Sequence, residues 1–144
     1  MYDNNFSDLI GQTIKEIKRY RSDNYKDNEI LDFITNDQLI YRMMHDQDWC
    51  ELVEIAEIHG DLDDLVGVPI ISAEEVSCSS GSNDEEISKL DDSESWTWTF
   101  YKLSTIKGSV TIRWDGFSNG YYSESVDFRL VTKDDESWIW NSIY

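Results

Sequence analysis

The sequence predicts a mainly β domain: a twisted antiparallel sheet or meander with one or two short helices. Three observations predict it. Period-two alternation runs through residues 95–103, 109–114 and 121–130, turn residues separate these runs, and β-branched and aromatic residues fill them. Aromatics make up 13% of the chain, with six Trp and eight Tyr, so core material is present although 29% of residues are charged. Disordered chains of similar polarity are poor in aromatics. At 144 residues the chain fits a single domain, 1–144, long enough to bury a core.

Residues 13–20 (TIKEIKRY) follow Gly11 and carry the β-branched residues of a strand. Residues 22–28 are polar and turn-like. Residues 29–35 (EILDFIT) and 38–44 (QLIYRMM) flank Asn36-Asp37 and predict a hairpin, although Gly is missing from the favoured turn position. A helix across 27–44 competes, because periodicity alone admits it. After a polar break at 45–50 (HDQDWC), residues 51–58 (ELVEIAEI) suit either a strand or a short helix. Residues 61–66 (DLDDLV), between Gly60 and Gly67, predict one helical turn whose leading acids complement the helix dipole. Pro69, the single proline, opens an extended stretch over 70–77.

Residues 79–95 are rich in Ser and acids without periodicity, and predict an exposed, mobile loop within the domain. In the strand that follows, Trp96, Trp98 and Phe100 alternate with Thr97, Thr99 and Tyr101. At 109–114 Val110, Ile112 and Trp114 alternate with Thr111 and Arg113, and at 121–130 Tyr122, Val126 and Phe128 keep one phase. Lys107-Gly108 and Ser118-Asn119-Gly120 suit tight turns with positive φ, so the three strands read as a meander with one buried face. Residues 134–144 predict a short capping helix docked through Trp138 and Trp140.

The net charge is −18 and its distribution is uneven. Residues 45–94 hold 16 acids and one base, Lys89, whereas the segments on either side are close to balanced. Such a field repels phosphate backbones, which argues against direct nucleic-acid binding, and attracts a basic protein or a cation. The competing reading is that the acids confer solubility alone. No apolar run is long enough to span a membrane, and the N-terminal residues lack the basic start and apolar stretch of a signal peptide. Two cysteines, Cys50 and Cys78, make no disulfide framework. The expected setting is the cytoplasm, with reduced thiols. No cofactor is expected.

Several constellations bear on chemistry. His45-Asp46-Gln47-Asp48-Trp49-Cys50-Glu51 packs imidazole, thiol and carboxylates into seven residues, which makes His45, Asp48, Cys50 and Glu51 the candidate metal ligands. Zinc-type spacings are absent, so a hydrogen-bonded polar corner is the stronger reading. Cys50 beside His45 has the residue types of a thiol nucleophile, but neighbouring acids raise a thiol pKa, and a buried, inert Cys50 is expected. Asp61, Asp63 and Asp64, with Glu74 and Glu75, offer oxygens to a cation or an acidic face to a partner, without the spacing of a Ca²⁺ loop. The stretch from Arg113 to Glu124 places Arg113, Asn119, Tyr121 and Tyr122 about a Gly-bounded turn, suited to a small polar ligand. The simpler reading is a hairpin in which Arg113 pairs across the strands with Glu124.

At these residues the chain resembles a family of small uncharacterised proteins encoded by bacteriophages and bacterial genomes. The resemblance rests on His45-Asp46-Gln47-Asp48 with Cys50-Glu51, Gly60-Asp61-Leu62 through Gly67, and Ala73-Glu74-Glu75. It continues through Ser95 to Tyr101 (SWTWTFY), Thr111-Ile112-Arg113-Trp114, and Ser118 to Glu124 (SNGYYSE). The family pattern has a second Cys where Trp49 stands and a Tyr where Asp115 stands, which argues against a Cys-pair site here. The resemblance implies a phage or prophage origin and supplies no activity.

Three functions follow as expectations. The first is a non-enzymatic inhibitor that offers Asp61, Asp63, Asp64, Glu74 and Glu75 to a basic, nucleic-acid-handling host or defence protein, as an anti-CRISPR-like nucleic-acid mimic. The second is sequestration of a nucleotide-derived immune signal by the 113–124 hairpin. The third is a metal-assisted hydrolase built on the His45 cluster.

Overall fold

The computed structural model describes residues 4–22, 28–47, 50–79, 95–119 and 123–131. Among them are eight strands and two short 3-10 turns, in the order η1 (Phe6–Leu9), β1 (Ile14–Arg21), β2 (Glu29–Thr35), β3 (Ile40–Met44), β4 (Leu52–His59), η2 (Leu62–Leu65), β5 (Ser72–Ser79), β6 (Ser95–Thr105), β7 (Gly108–Ser118) and β8 (Asp127–Val131). The fold is mainly β, as the alternation predicts, and is built as two four-stranded antiparallel sheets ordered β1-β2-β3-β8 and β4-β7-β6-β5. The helix competing for residues 27–44 is replaced by the β2–β3 hairpin, where the left-handed turn position falls to Gln38 (φ 65°). The capping helix with Trp138 and Trp140 lies outside the described residues, as does most of the expected 79–95 loop.

One expectation fails. The third strand of the meander is not paired with β7: residues 123–126 are irregular, and the chain then crosses to the other sheet, where β8 pairs with β3 from Ile40↔Val131 to Met44↔Asp127. Period-two spacing marks a strand without naming its neighbour, and Phe128 satisfies that spacing by joining the shared core. Gly108 likewise does not take positive φ. Its lack of a side chain admits the Asp64 carboxylate, whose Oδ2 would lie 2.7 Å from an added Cβ.

Both sheets contribute to one apolar core. Leu31, Phe33, Tyr41, Met43 and Phe128 come from the first sheet, and Val53, Ile55, Tyr101, Leu103, Val110, Ile112 and Trp114 from the second. The register Leu103↔Val110, Tyr101↔Ile112 and Thr99↔Trp114 puts these side chains on the inner face and sends Trp96, Trp98 and Phe100 to the outer one. η1 joins the core through Phe6, whose ring lies 4.8 Å from that of Tyr101 and 5.3 Å from that of Phe128. Residues 60–71 pass over the start of β1, where Pro69 bridges Thr13 and Val66 bridges Ile14, and bring Leu65 and Ile70 into the core.

The predicted helical turn at 61–66 is η2. Asp61 caps it, its Oδ1 accepting from the Asp63 N–H at 2.9 Å. Removing that acceptor by Asp61→Ala should cost about 1 kcal/mol, whereas Asp61→Asn, which keeps it, should cost little. Urea melts of the two variants check this.

Candidate functional site

Two crossovers carry the chain between the sheets, one from β3 to β4 and one from β7 to β8, and they meet. His45, at the end of β3, is buried, with Nδ1 2.7 Å from the Ser125 carbonyl oxygen and Nε2 3.1 Å from Glu51 Oε1. A carbonyl only accepts, so Nδ1 donates to it, and Nε2 shares a proton with the Glu51 carboxylate. Nδ1 thus ties the second crossover to the first, while Nε2 fixes the ring within the first.

That crossover lies over the inner face of β7 at Gly116. A Cβ added to Gly116 would stand 2.8 Å from Glu124 Cβ and 2.9 Å from the Glu124 carbonyl oxygen, closer than real side chains approach. The missing side chain lets Glu124 sink into the sheet. Its residue exposure is 9%; Thr97 Oγ1 donates to Oε1 at 2.8 Å, and the Ser118 hydroxyl donates to Oε2.

The strands on either side build a cleft. The inner-face register continues from Tyr101 and Leu103 to Thr99, Thr97 and Ser95 on β6, opposite Ser77 and Ser79 on β5. Apolar core residues thus give way to hydroxyls along the same face. With Glu75, Ser123, Glu124, Ser125 and Val126, these residues line a cleft of about 450 Å³. Burial raises the Glu75 carboxyl above the usual range, and a hydrogen bond with the Tyr101 hydroxyl partly counters this. Tyr101 itself is pushed well above the ordinary phenol range, first by burial and then by the charges of Glu75 and Asp127.

The residues singled out from the sequence are dispersed. Asp61 and Asp63 are exposed on η2, and Asp64 leans against the β6–β7 turn, its carbonyl oxygen accepting from the Thr105 hydroxyl. Glu74 and Glu75 point to opposite faces of β5. Glu74 lies 4.0 Å from Lys102 Nζ, while Glu75 lines the cleft. The five acids therefore form no single patch.

Arg113 lies on the outer face, not across from Glu124. Its Nη1 is 3.5 Å from Glu57, its Nε is 3.1 Å from Asp115 Oδ1, and its guanidinium stands 5.5 Å from the Trp98 ring. The contact with Asp115 is an ion pair without hydrogen-bond alignment, since both atoms are buried without a hydrogen-bond partner. Burial raises the Asp115 carboxyl; Arg113 opposes the shift and Glu54 adds to it. Asn119 is exposed just past β7, and Tyr121 and Tyr122 lie outside the described residues. β7 and β8 belong to different sheets and residues 123–126 are irregular, so among the described residues 113–124 do not pair as a hairpin.

Of the candidate metal ligands, His45 and Glu51 engage each other and Asp48 lies outside the described residues. Cys50, expected to be buried, is exposed: it occupies the bend before β4, and its neighbour Glu51 takes the buried position beside His45. Neither Cys50 nor Cys78 forms a disulfide among the described residues. Among the described residues no group of three or more His, Cys, Asp or Glu gathers as a metal site, and no helix is long and apolar enough to cross a membrane.

Sequence reasoning missed the cleft. Its Ser and Thr residues read individually as loop or strand-surface positions, and only the β5–β6 register and the crossover over Gly116 assemble them. Neither a curated protein nor a solved structure matches the chain. A family model does, over residues 7–128, which takes in all the described strands but the end of β8, and the chain belongs to the family described as Domain of unknown function (DUF7448).

Proposed function

We propose that the protein is a non-enzymatic binding protein that takes a basic partner on its acidic surface. On this reading it inhibits a nucleic-acid-handling or defence protein of a bacterial host by occupying its basic groove. The observation that carries the proposal is the net charge of −18, with Asp61, Asp63 and Glu74 held at the surface on η2 and β5. A field of this size steers a basic groove toward the protein and loses force as salt rises. The resemblance to phage and prophage proteins supports the host setting by analogy alone.

The test is capture from a bacterial lysate on immobilised protein, washed at low and then high salt. The expected eluate is a basic nucleic-acid-handling protein released by salt. It should not be retained by the variant with Asp61, Asp63, Asp64 and Glu74 changed to Asn or Gln. Retention by that variant would overturn the assignment of the surface.

A further inference from the structure

We propose that the cleft between β5, β6 and residues 123–126 is a binding site for an organic ammonium group. Four carboxylates are buried among the described residues: Glu29, Asp32, Glu51 and Glu124. Three of them face a basic group. Arg19 lies 2.8 Å from Glu29, Arg42 2.8 Å from Asp32, and His45 3.1 Å from Glu51. Glu124 is the exception, held among the described residues by the hydroxyls of Thr97 and Ser118. A buried carboxylate without a cation is costly, and the arrangement is completed by a positive charge from outside.

The cleft has the character such a guest requires. A second carboxylate, Glu75, stands on the β5 wall, and among the described residues neither Lys, Arg nor His lines the space. Apart from Val126, the remaining lining is serine and threonine hydroxyls from β5, β6 and residues 123–125, whose oxygens accept from the three N–H donors of an ammonium. The volume of about 450 Å³ lies within the range of small-molecule sites and far exceeds that of a single ion. Two carboxylates line it, and among the described residues no third His, Cys, Asp or Glu joins them to hold a metal ion, which points to a primary amine. The source is either a free polyamine or the lysine side chain of a protein. The site does not depend on the acidic-surface reading, although a partner's lysine would join the two.

Isothermal titration of the full chain with spermidine, and separately with a lysine-containing peptide capped at both ends, tests the proposal. Saturable binding of either probe is expected, with the better-bound probe identifying the source. Affinity should fall about tenfold in Glu75→Gln and in Glu124→Gln, roughly the loss of one charge-assisted contact. Glu75→Gln is the decisive variant, because Glu75 is exposed and its loss leaves the crossover in place. The variant with Asp61, Asp63, Asp64 and Glu74 neutralised should bind spermidine like the wild type, even where it has lost a protein partner. Neither probe binding, or Glu75→Gln binding as tightly as wild type, would overturn the proposal. So would an equal loss in the variant that keeps Glu75, which is the mark of diffuse counterion attraction.

Discussion

Replacing Arg42 by methionine is expected to lower stability by about 3–5 kcal/mol, the cost of leaving a buried charge without its partner. Arg42 has 1% exposure, in the middle of β3, and donates from Nε to Asp32 Oδ1 at 2.8 Å and from Nη2 to Asp32 Oδ2 at 2.9 Å. The Tyr20 hydroxyl closes the group, donating to Asp32 Oδ2 at 2.6 Å and accepting from Arg42 Nη2 at 3.1 Å. Burial pulls the guanidinium toward neutrality, but the hydrogen bonds and charge of Asp32 outweigh this and raise its pKa. The methionine side chain would leave the Asp32 carboxylate buried with the tyrosine hydroxyl but no cation. Replacing both members, Arg42→Met with Asp32→Leu, should restore most of the loss, because matched apolar residues commonly do as well as a buried pair. Urea unfolding of the single and double variants separates the two effects. A single variant within about 1 kcal/mol of wild type would show that the pair is not held as described.

Gly116→Val is expected to cost about 3 kcal/mol, at the upper end of overpacking penalties, and to open the cleft. The obstruction includes the Glu124 carbonyl oxygen at 2.9 Å as well as its Cβ at 2.8 Å, so a side-chain rotation does not relieve it. The crossover must lift, taking Glu124 from the Thr97 and Ser118 hydroxyls and straining the Ser125 carbonyl contact with His45. Amide exchange at residues 123–126 should accelerate more than that of β2 or β3. Uniform acceleration through both sheets would contradict a local displacement.

Much of the fold is legible because half-buried strands write alternation into their sequence. β6 and β7 carry period-two patterns through most of their eleven residues each, and they pair as the pattern predicts. β4 is ambiguous for a physical reason. A register shift between Ile55 and Glu57 re-phases the strand, so Val53, Ile55 and Ile58 all meet the core. The resulting apolar spacing mixes two and three, which a helix also satisfies.

The failure at residues 121–130 has a different origin. Alternation there is real, but Gly116 and the His45–Ser125 contact route the chain over β7 instead of beside it, and neither signal is periodic. The candidate site is less legible than the fold. Sequence distance groups Glu74 with Glu75, whereas the pleat sends them to opposite faces of β5. A hairpin over 113–124 assigns Glu124 to Arg113, and that assumption conceals the buried carboxylate on which the cleft depends.

The central claim, that this protein recognises positive charge, is tested most directly by titrating the captured partner across a series of salt concentrations. Wild type would be compared with the variant in which Asp61, Asp63, Asp64 and Glu74 are neutralised and Glu75 is kept. The account predicts that wild-type affinity falls steadily with salt, and that the variant binds roughly thirtyfold more weakly with a flatter salt dependence, at about half a kcal/mol per surface charge. Equal affinities with equal salt slopes would contradict it.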